Sequence, residues 1–351
     1  KQLLETGYAS EKTRKHIDQC LQCRSCETTC PSGVEYSALL DFAKTIIEQQ
    51  QTRPIKERLI RWGISHVIPY PRRFGALLKI GQTLRPILPT AIKAKVPIAQ
   101  VIIPWPKEQH HQRKMIVLAG CAQPKSTPNT NAAAARVLAR LGVSLVEVKE
   151  AGCCGAVDYH LSKHQQGLVM MRRSIDAWWP LIEQGIEAIV MTASGCGSMV
   201  KDYGELLKNE PKYANKALKI SELTQDLSQI LVKEDLASLE LKKSSQRVAT
   251  HCPCSLQHAQ QLPQAVNAVL GRVGVVSTKT TDDHLCCGSA GTYSILQPKL
   301  SAQLLDNKIA ALSADKPQVI VTANVGCQMH LACRATVPVK HWIELIDEML
   351  P

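Results

Sequence analysis

Cys20, Cys23, Cys26 and Cys30 form the run C-x-x-C-x-x-C-x-x-x-C, closed by Pro31. Two-residue gaps let one tight loop deliver three thiolates to a cubane [4Fe-4S] cluster, and the proline then turns the chain away. Zinc more often takes two C-x-x-C pairs far apart in sequence, which this run lacks. In two-cluster ferredoxin arrangements the fourth cysteine of such a run serves the other cluster. Cys20, Cys23 and Cys26 are therefore expected on one [4Fe-4S] cluster and Cys30 on a second. The remaining ligands of that second cluster would come from a partner run before Lys1, so two clusters are expected in the full-length protein.

A second set of thiols is written twice. Cys121 to Cys254, Cys153 to Cys286 and Cys154 to Cys287 are each 133 residues apart, and Cys196 to Cys327 is 131. Each copy carries a Cys-Cys-Gly triplet, Cys153-Cys154-Gly155 and Cys286-Cys287-Gly288. Thr192-Ala193 is matched to Thr322-Ala323, and Ile220 to Leu223 loosely to Trp342 to Leu345. A register kept this closely is an internal duplication. Separate soft thiolates converging on one point suit an iron–sulfur cluster or zinc. Adjacent cysteines can also form a strained vicinal disulfide or pack as small apolar residues. Cys121, Cys153, Cys154, Cys196, Cys252, Cys254, Cys286, Cys287 and Cys327 are the candidate ligands or redox thiols of these units.

The elements that must position these thiols follow from hydrophobic patterning. From Met115 onward the pattern is α/β, with strands expected at 115–118, 143–148 and 186–192, and again at 247–250, 273–277 and 318–322. A helix is expected over 131–141, stopped by Gly142. The cysteines fall just after strands, at the edge where open α/β sheets bind ligands. Residues 1–16 are polar and lack apolar periodicity, whereas 36–51 reads as an amphipathic helix. The predicted class is α+β multidomain. A partial α-helical ferredoxin-like domain (1–52) and a linker (53–114) precede two duplicated α/β units (115–240 and 241–351), expected to be related by an approximate twofold axis.

Charge is uneven. The net charge is +12, and residues 53–114 hold thirteen Lys or Arg against Glu57 and Glu108, which places +11 in the linker. Eight prolines punctuate it, with amphipathic stretches around 55–68 and 74–84. Such a segment suits an anionic membrane surface or an acidic partner, or wraps the core as a solvated arm. No nucleic-acid motif accompanies the charge, so no nucleic-acid partner is expected. Apolar runs stay well short of the roughly 20 residues of a spanning helix. Fourteen cysteines grouped in this way suit a reducing compartment. P-loop, Rossmann and Ser/His/Asp arrangements are missing, which removes kinase, dinucleotide-binding and hydrolase readings.

With these residues in view the chain resembles the iron–sulfur subunits of glycolate oxidase (glycolate dehydrogenase). They belong to the wider CCG-domain family, which includes heterodisulfide reductase, lactate-utilisation and anaerobic glycerol-3-phosphate dehydrogenase subunits. The motifs that carry the likeness are Cys20 to Pro31, Glu150 to His160, Thr192 to Gly197, His251 to His258, Leu285 to Tyr293 and Thr322 to Cys327. The resemblance implies an electron-transfer subunit of an oxidoreductase, cytoplasmic and peripheral on the inner face of the cell membrane. FAD-containing partner subunits would oxidise glycolate to glyoxylate, and electrons would pass through [4Fe-4S] clusters towards a quinone.

It also exposes departures. Heterodisulfide reductases end each repeat with a further cysteine, and here those places hold Met199 and His330. Cys252 or His330 is a substitute ligand in the second repeat, and Cys333 is expected to be a bystander. His251 and His258 are expected to support the thiolates or the fold rather than bind metal. Asp158, Tyr159, Thr292 and Tyr293 are expected to cap and pack, or else to line a quinone site. Two rival functions remain: a thiol–disulfide catalytic subunit using the CCG thiols, and a zinc-stabilised scaffold.

Overall fold

The computed structural model describes residues 2–107 and 110–351; Lys1, Glu108 and Gln109 lie outside them. The polar N-terminus, despite its lack of periodicity, is helical as α1 (Gln2–Thr6) and α2 (Glu11–Asp18). Helix α2 buries no residue of its own. Half-buried Ile17 packs against the core of Leu3, Ala9, Ala43 and Ile47; at the helix start Ser10 caps it by accepting from Thr13 N–H at 3.1 Å, and the preceding Ala9 N–H donates to Gln50 at 2.9 Å.

The cysteine run folds around α3 (Ser25–Thr29), entered through Gln22 and Arg24 with φ of +54° and +60°. Left-handed residues reverse the chain within two steps, which is what a loop must do to turn closely spaced thiols to one side. Helix α4 (Tyr36–Gln50) follows and buries Ala43 and Ile47 against Leu3 and Ala9.

The linker forms α5 (Ile55–Val67) and α6 (Pro71–Leu84), close to the expected stretches and separated where Pro69 and Pro71 forbid a continuous helix. Buried Arg53 clamps its start, paired with Asp18, Glu48 and Glu57. Burial alone would lower the Arg53 pKa, but hydrogen bonds to Asp18 and Glu48 outweigh it and raise it. The linker's far end is tied down at Asn129, which accepts from Ile103 N–H and donates to Val101 C=O.

Two parallel four-stranded sheets make up the rest. In the first unit the strands are β1 (Arg113–Val117), β2 (Val143–Glu147), β3 (Ile189–Met191) and β4 (Thr224–Asp226), in the order β2-β1-β3-β4. Its helices are α7 (Asn129–Arg140), α8 (His164–Glu183), α9 (Ser194–Lys201), α10 (Ala214–Leu223) and α11 (Leu227–Leu231). The second unit has β5 (Arg247–His251), β6 (Val276–Ser277), β7 (Val319–Thr322) and β8 (Val339–His341), in the equivalent order β6-β5-β7-β8. Its longer helices are α12 (Ala265–Arg272), α13 (Pro298–Ser313), α14 (Val325–Leu331) and α15 (Trp342–Glu348).

The central strands β3 and β7 are buried along their whole length, as parallel strands covered by helices must be. Met115 and Val117 face a core that includes Leu138, Leu231, Leu270, Val321 and Trp342, drawn from both units. Ile116 and Leu118 face the outer core of the first unit with Cys154, Trp178 and Met191. Ala249 and Ile320 face the outer core of the second with Cys287 and Cys327. The layers therefore run helix, sheet, shared helices, sheet, helix.

Strand pairing corrects the alignment of the repeats. Ile116 pairs with Ile189 and Ala249 with Ile320, so an offset of 131 holds through the third strand of each unit. Thr322 therefore matches Met191, and Thr192 matches Ala323, one residue away from the expected pairing. The match of Ile220–Leu223 to Trp342–Leu345 also fails. The first lies at the end of α10 before a strand, and the second opens α15 after one. The true counterparts are β4 followed by α11 and β8 followed by α15, with Asp226 and His341 capping. The expected strand 273–277 shortens to Val276–Ser277, because Gly274 (φ +74°) turns the chain first. The expected 186–192 shortens to Ile189–Met191.

Candidate metal centres

The four cysteines of each repeat converge at the C-terminal edge of its sheet. In the first unit hydrogen-bonding contacts link Cys121 to Cys153, Cys153 to Cys154, and Cys154 to Cys196. The second unit repeats the series as Cys254, Cys286, Cys287 and Cys327. Four thiols in mutual contact, buried or nearly so and unpaired by any disulfide, are a donor set that fits a soft metal or an iron–sulfur cluster. In each series one interior thiol is pushed down by hydrogen bonds from its two neighbours. Cys154 is pushed well down by Cys153 and Cys196, and Cys286 is pushed down to about 3 by Cys254 and Cys287.

The glycine of each triplet is dictated by packing. Gly155 and Gly288 have φ of +88° and +82°. A Cβ would lie 2.7 Å from the carbonyl oxygen of Gly167 in one case and 2.6 Å from that of Ser301 in the other. The loop carrying the paired cysteines is thus pressed onto the following helix, α8 or α13. Ser301 Oγ also donates to Gly288 C=O at 2.8 Å, and Tyr203 Oη to Cys154 C=O at 2.8 Å.

Alternation along β5 sorts the remaining candidates. His251 falls on the Ala249 face with Cys287 and Cys327, whereas Cys252 packs against the shared core between the units. Cys252 is accordingly outside the series of touching thiols, and burial pushes it up to about 12. A ring nitrogen of His251 and the sulfurs of Cys287 and Cys327 lie within 4.8 Å of one another. Burial lowers His251 to about 3. His330, by contrast, meets Ser301 Oγ at 3.0 Å through Nε2. Met199 is buried in the outer core of the first unit. Cys333 donates to Met329 C=O at 3.2 Å and packs against the outer core of the second unit.

The N-terminal run sits across both units. Burial pushes Cys23 up, and Cys286, Cys20 and Cys26 all act on it electrostatically. Burial also raises Cys26. Cys30 stands apart, held low by backbone hydrogen bonds from Val34 and Ser32. Arg24 pairs with Asp202 of the first unit, and Gln22 meets His160 Nδ1 at 3.2 Å. Thr28 meets His258 Nδ1 at 2.8 Å, and Tyr293 Oη donates to Gln19 C=O at 3.2 Å. Sequence reasoning singled out His258 and Tyr293 but not this role. Across the seam of the first unit, Tyr159 stacks on His164 with ring centres 4.4 Å apart, and buried Asp158 bonds Ser65 of the linker. Thr292 supplies the N-cap position of the short helix that carries Tyr293.

A duplicated, thiol-lined α/β unit fronted by a ferredoxin-type loop defines a cysteine-rich, metal-binding class of protein. The model of the cysteine-rich (CCG) domain matches residues 115–201 and 248–332. The glycolate oxidase iron–sulfur subunit of Escherichia coli K12 is 52% identical over all of this chain and 86% of its own length. A probable glycolate oxidase iron–sulfur subunit of Bacillus subtilis 168 is 29% identical over 92% of this chain and 78% of its own length. Lactate utilization protein A of Bacillus velezensis is 26% identical over 67% of this chain and 99% of its own length. The chain belongs to the family of glycolate oxidase iron–sulfur subunits.

Proposed function

We propose that this chain relays electrons from flavin-containing glycolate oxidase subunits, which oxidise glycolate to glyoxylate, towards a quinone. The carrying observation is that Cys23 lies within electrostatic reach of Cys286 and Cys254, with the loop pinned on both units by Arg24–Asp202 and Thr28–His258. Cys20, Cys23 and Cys26 would hold one [4Fe-4S] cluster and Cys30 would contribute to a second. The series beginning at Cys121 and Cys254 would hold further centres. Such clusters supply one-electron carriers whose potentials follow from ligand charge, burial and hydrogen bonds to sulfur. The protein's own part is to keep the thiolates converged, exclude water around Cys154 and Cys287, and hold the loop in place.

The burial of the paired cysteines supports a relay over a thiol–disulfide enzyme. Cys153, Cys154 and Cys287 are 4%, 2% and 2% exposed, which leaves a disulfide substrate little sulfur to reach. The relatives named for lactate utilization make lactate the second reading of the partner's substrate.

Docking follows from the linker. Fifteen of the twenty-five exposed large apolar side chains among the described residues lie between Ile55 and Trp105. They are interleaved with the chain's main concentration of positive charge, the combination that binds an anionic lipid surface. None of the described helices is long and apolar enough to cross a membrane. This reading places the subunit on the cytoplasmic face of the cell membrane, near its quinone.

Cys20→Ser and Cys23→Ser test the relay. In the assembled complex, reduction of quinone should be lost while the flavin subunits still reduce an artificial dye. Undiminished quinone reduction would overturn the reading.

A further inference from the structure

The two units differ at one pair of buried positions beside the thiols. Strand register matches Leu118 to His251 and Met191 to Thr322. In the first unit Leu118 and Met191 are apolar members of the outer core that contains Cys154. In the second, His251 Nδ1 and Thr322 Oγ1 are hydrogen-bonded at 2.9 Å, and both residues are buried. Packing does not require the exchange, because the first unit fills the same place with hydrocarbon. Burying an imidazole and a hydroxyl costs free energy that leucine and methionine avoid. The imidazole is also close to sulfur: one of its ring nitrogens lies within 4.8 Å of Sγ of Cys287 and of Cys327. A hydrogen-bonded partner that fixes ring orientation is the usual companion of a ligating histidine.

We infer that His251 is a metal ligand and that the second unit holds a mixed imidazole–thiolate centre, whereas the first holds an all-thiolate one. This rests on the reading that the second unit binds metal at all. The ligand chemistry suits a borderline-soft ion, either zinc or an iron of a cluster. Where the neutral imidazole takes the place of one of the four thiolates at iron, the centre carries one negative charge fewer and its reduction potential is higher. The second unit, which lies within electrostatic reach of Cys23, would then be the better electron acceptor of the two.

The test uses the full chain, purified anaerobically. Iron, zinc and acid-labile sulfide are measured per chain, with X-ray absorption at both metal edges and pulsed electron paramagnetic resonance of the reduced protein. Cys327→Ser defines the metal held by the second unit, and His251→Leu installs the residue of the first. His251→Cys restores a ligand and guards against a folding defect. A nitrogen neighbour in the wild type should vanish in His251→Leu, whose centre keeps only the sulfur ligands that the first unit has, while His251→Cys shows sulfur neighbours only. A zinc signal identifies a mononuclear site, and imidazole hyperfine coupling with sulfide identifies a cluster; either supports the assignment. If Cys327→Ser removes metal but His251→Leu leaves content and spectra unchanged, the histidine assignment falls and the metal reading stands. If Cys327→Ser removes nothing, the metal reading of this unit falls, and the assignment with it.

Discussion

Thr28, in the middle of the N-terminal cysteine run, is hydrogen-bonded through Oγ1 to Nδ1 of His258 at 2.8 Å, 230 residues further along the chain. With the Arg24–Asp202 pair it fixes a short loop on two units at once. A relay needs such fixity, because a carrier that drifts from its neighbour transfers more slowly.

Arg24→Ala combined with His258→Leu should therefore loosen the loop without unfolding the units. The lost contacts amount to about 1–3 kcal/mol, taking one charge-assisted and one neutral hydrogen bond. Hydrogen exchange over 19–30 should rise while exchange in β1 and β5 stays unchanged. Equal protection in variant and wild type would show that the loop is held elsewhere.

Gly288→Ala should be far costlier than an ordinary glycine substitution. Its backbone is left-handed, and the new methyl would lie 2.6 Å from Ser301 C=O. Left-handed strain of roughly 1–2 kcal/mol adds to the displacement of α13, for a total of about 2–4 kcal/mol in denaturant unfolding. Gly185→Ala, where a Cβ meets nothing within 4 Å, is the control for strain alone. A similar loss in both would remove the packing explanation.

The repeat was legible because cysteine is rare and its spacing survives insertion. The linker helices were legible because prolines bound them and apolar residues recur at helical intervals. The fourth strands were not: Thr224-Gln225-Asp226 and Val339-Lys340-His341 are three residues each and partly polar, too short for alternation to register. The surroundings of His251 were not legible for a related reason. Sequence places it beside Cys252 and Cys254, but only strand pairing shows which face it shares, and that its counterpart is leucine.

The same alternation yields a prediction for Cys252. It packs against the shared core, so Cys252→Ala should leave iron and sulfide content unchanged and cost about 1 kcal/mol, the loss expected for a small buried group. Loss of metal equal to that in Cys254→Ser would instead make Cys252 a ligand.

The linker should bind vesicles containing anionic lipid and release them in salt. Trp62 and Leu59 are 58% and 61% exposed on α5, beside Lys56 and Arg58. Each basic residue near such a surface contributes about 1 kcal/mol. Lys56→Glu with Arg58→Glu should therefore weaken binding at least tenfold in low salt, read by vesicle co-sedimentation. Equal binding to neutral vesicles would point to apolar insertion alone.

The seam between the two units carries a pH-sensitive carboxyl. Glu344 on α15 accepts from Thr130 Oγ1 on α7 at 2.6 Å, and burial raises its pKa to about 7. A carboxyl whose folded pKa exceeds its unfolded value of 4.5 stabilises the fold fully below that value, and the contribution is lost as pH rises through about 7. Glu344→Gln keeps an acceptor for Thr130 and removes the titration. The stability difference between variant and wild type should therefore grow in the variant's favour from pH 5 to pH 8, by roughly 1–3 kcal/mol after allowance for partial solvation. A difference independent of pH would mean that Glu344 is ionised in the fold throughout that range and that the seam is held by packing and by Arg136–Asp347.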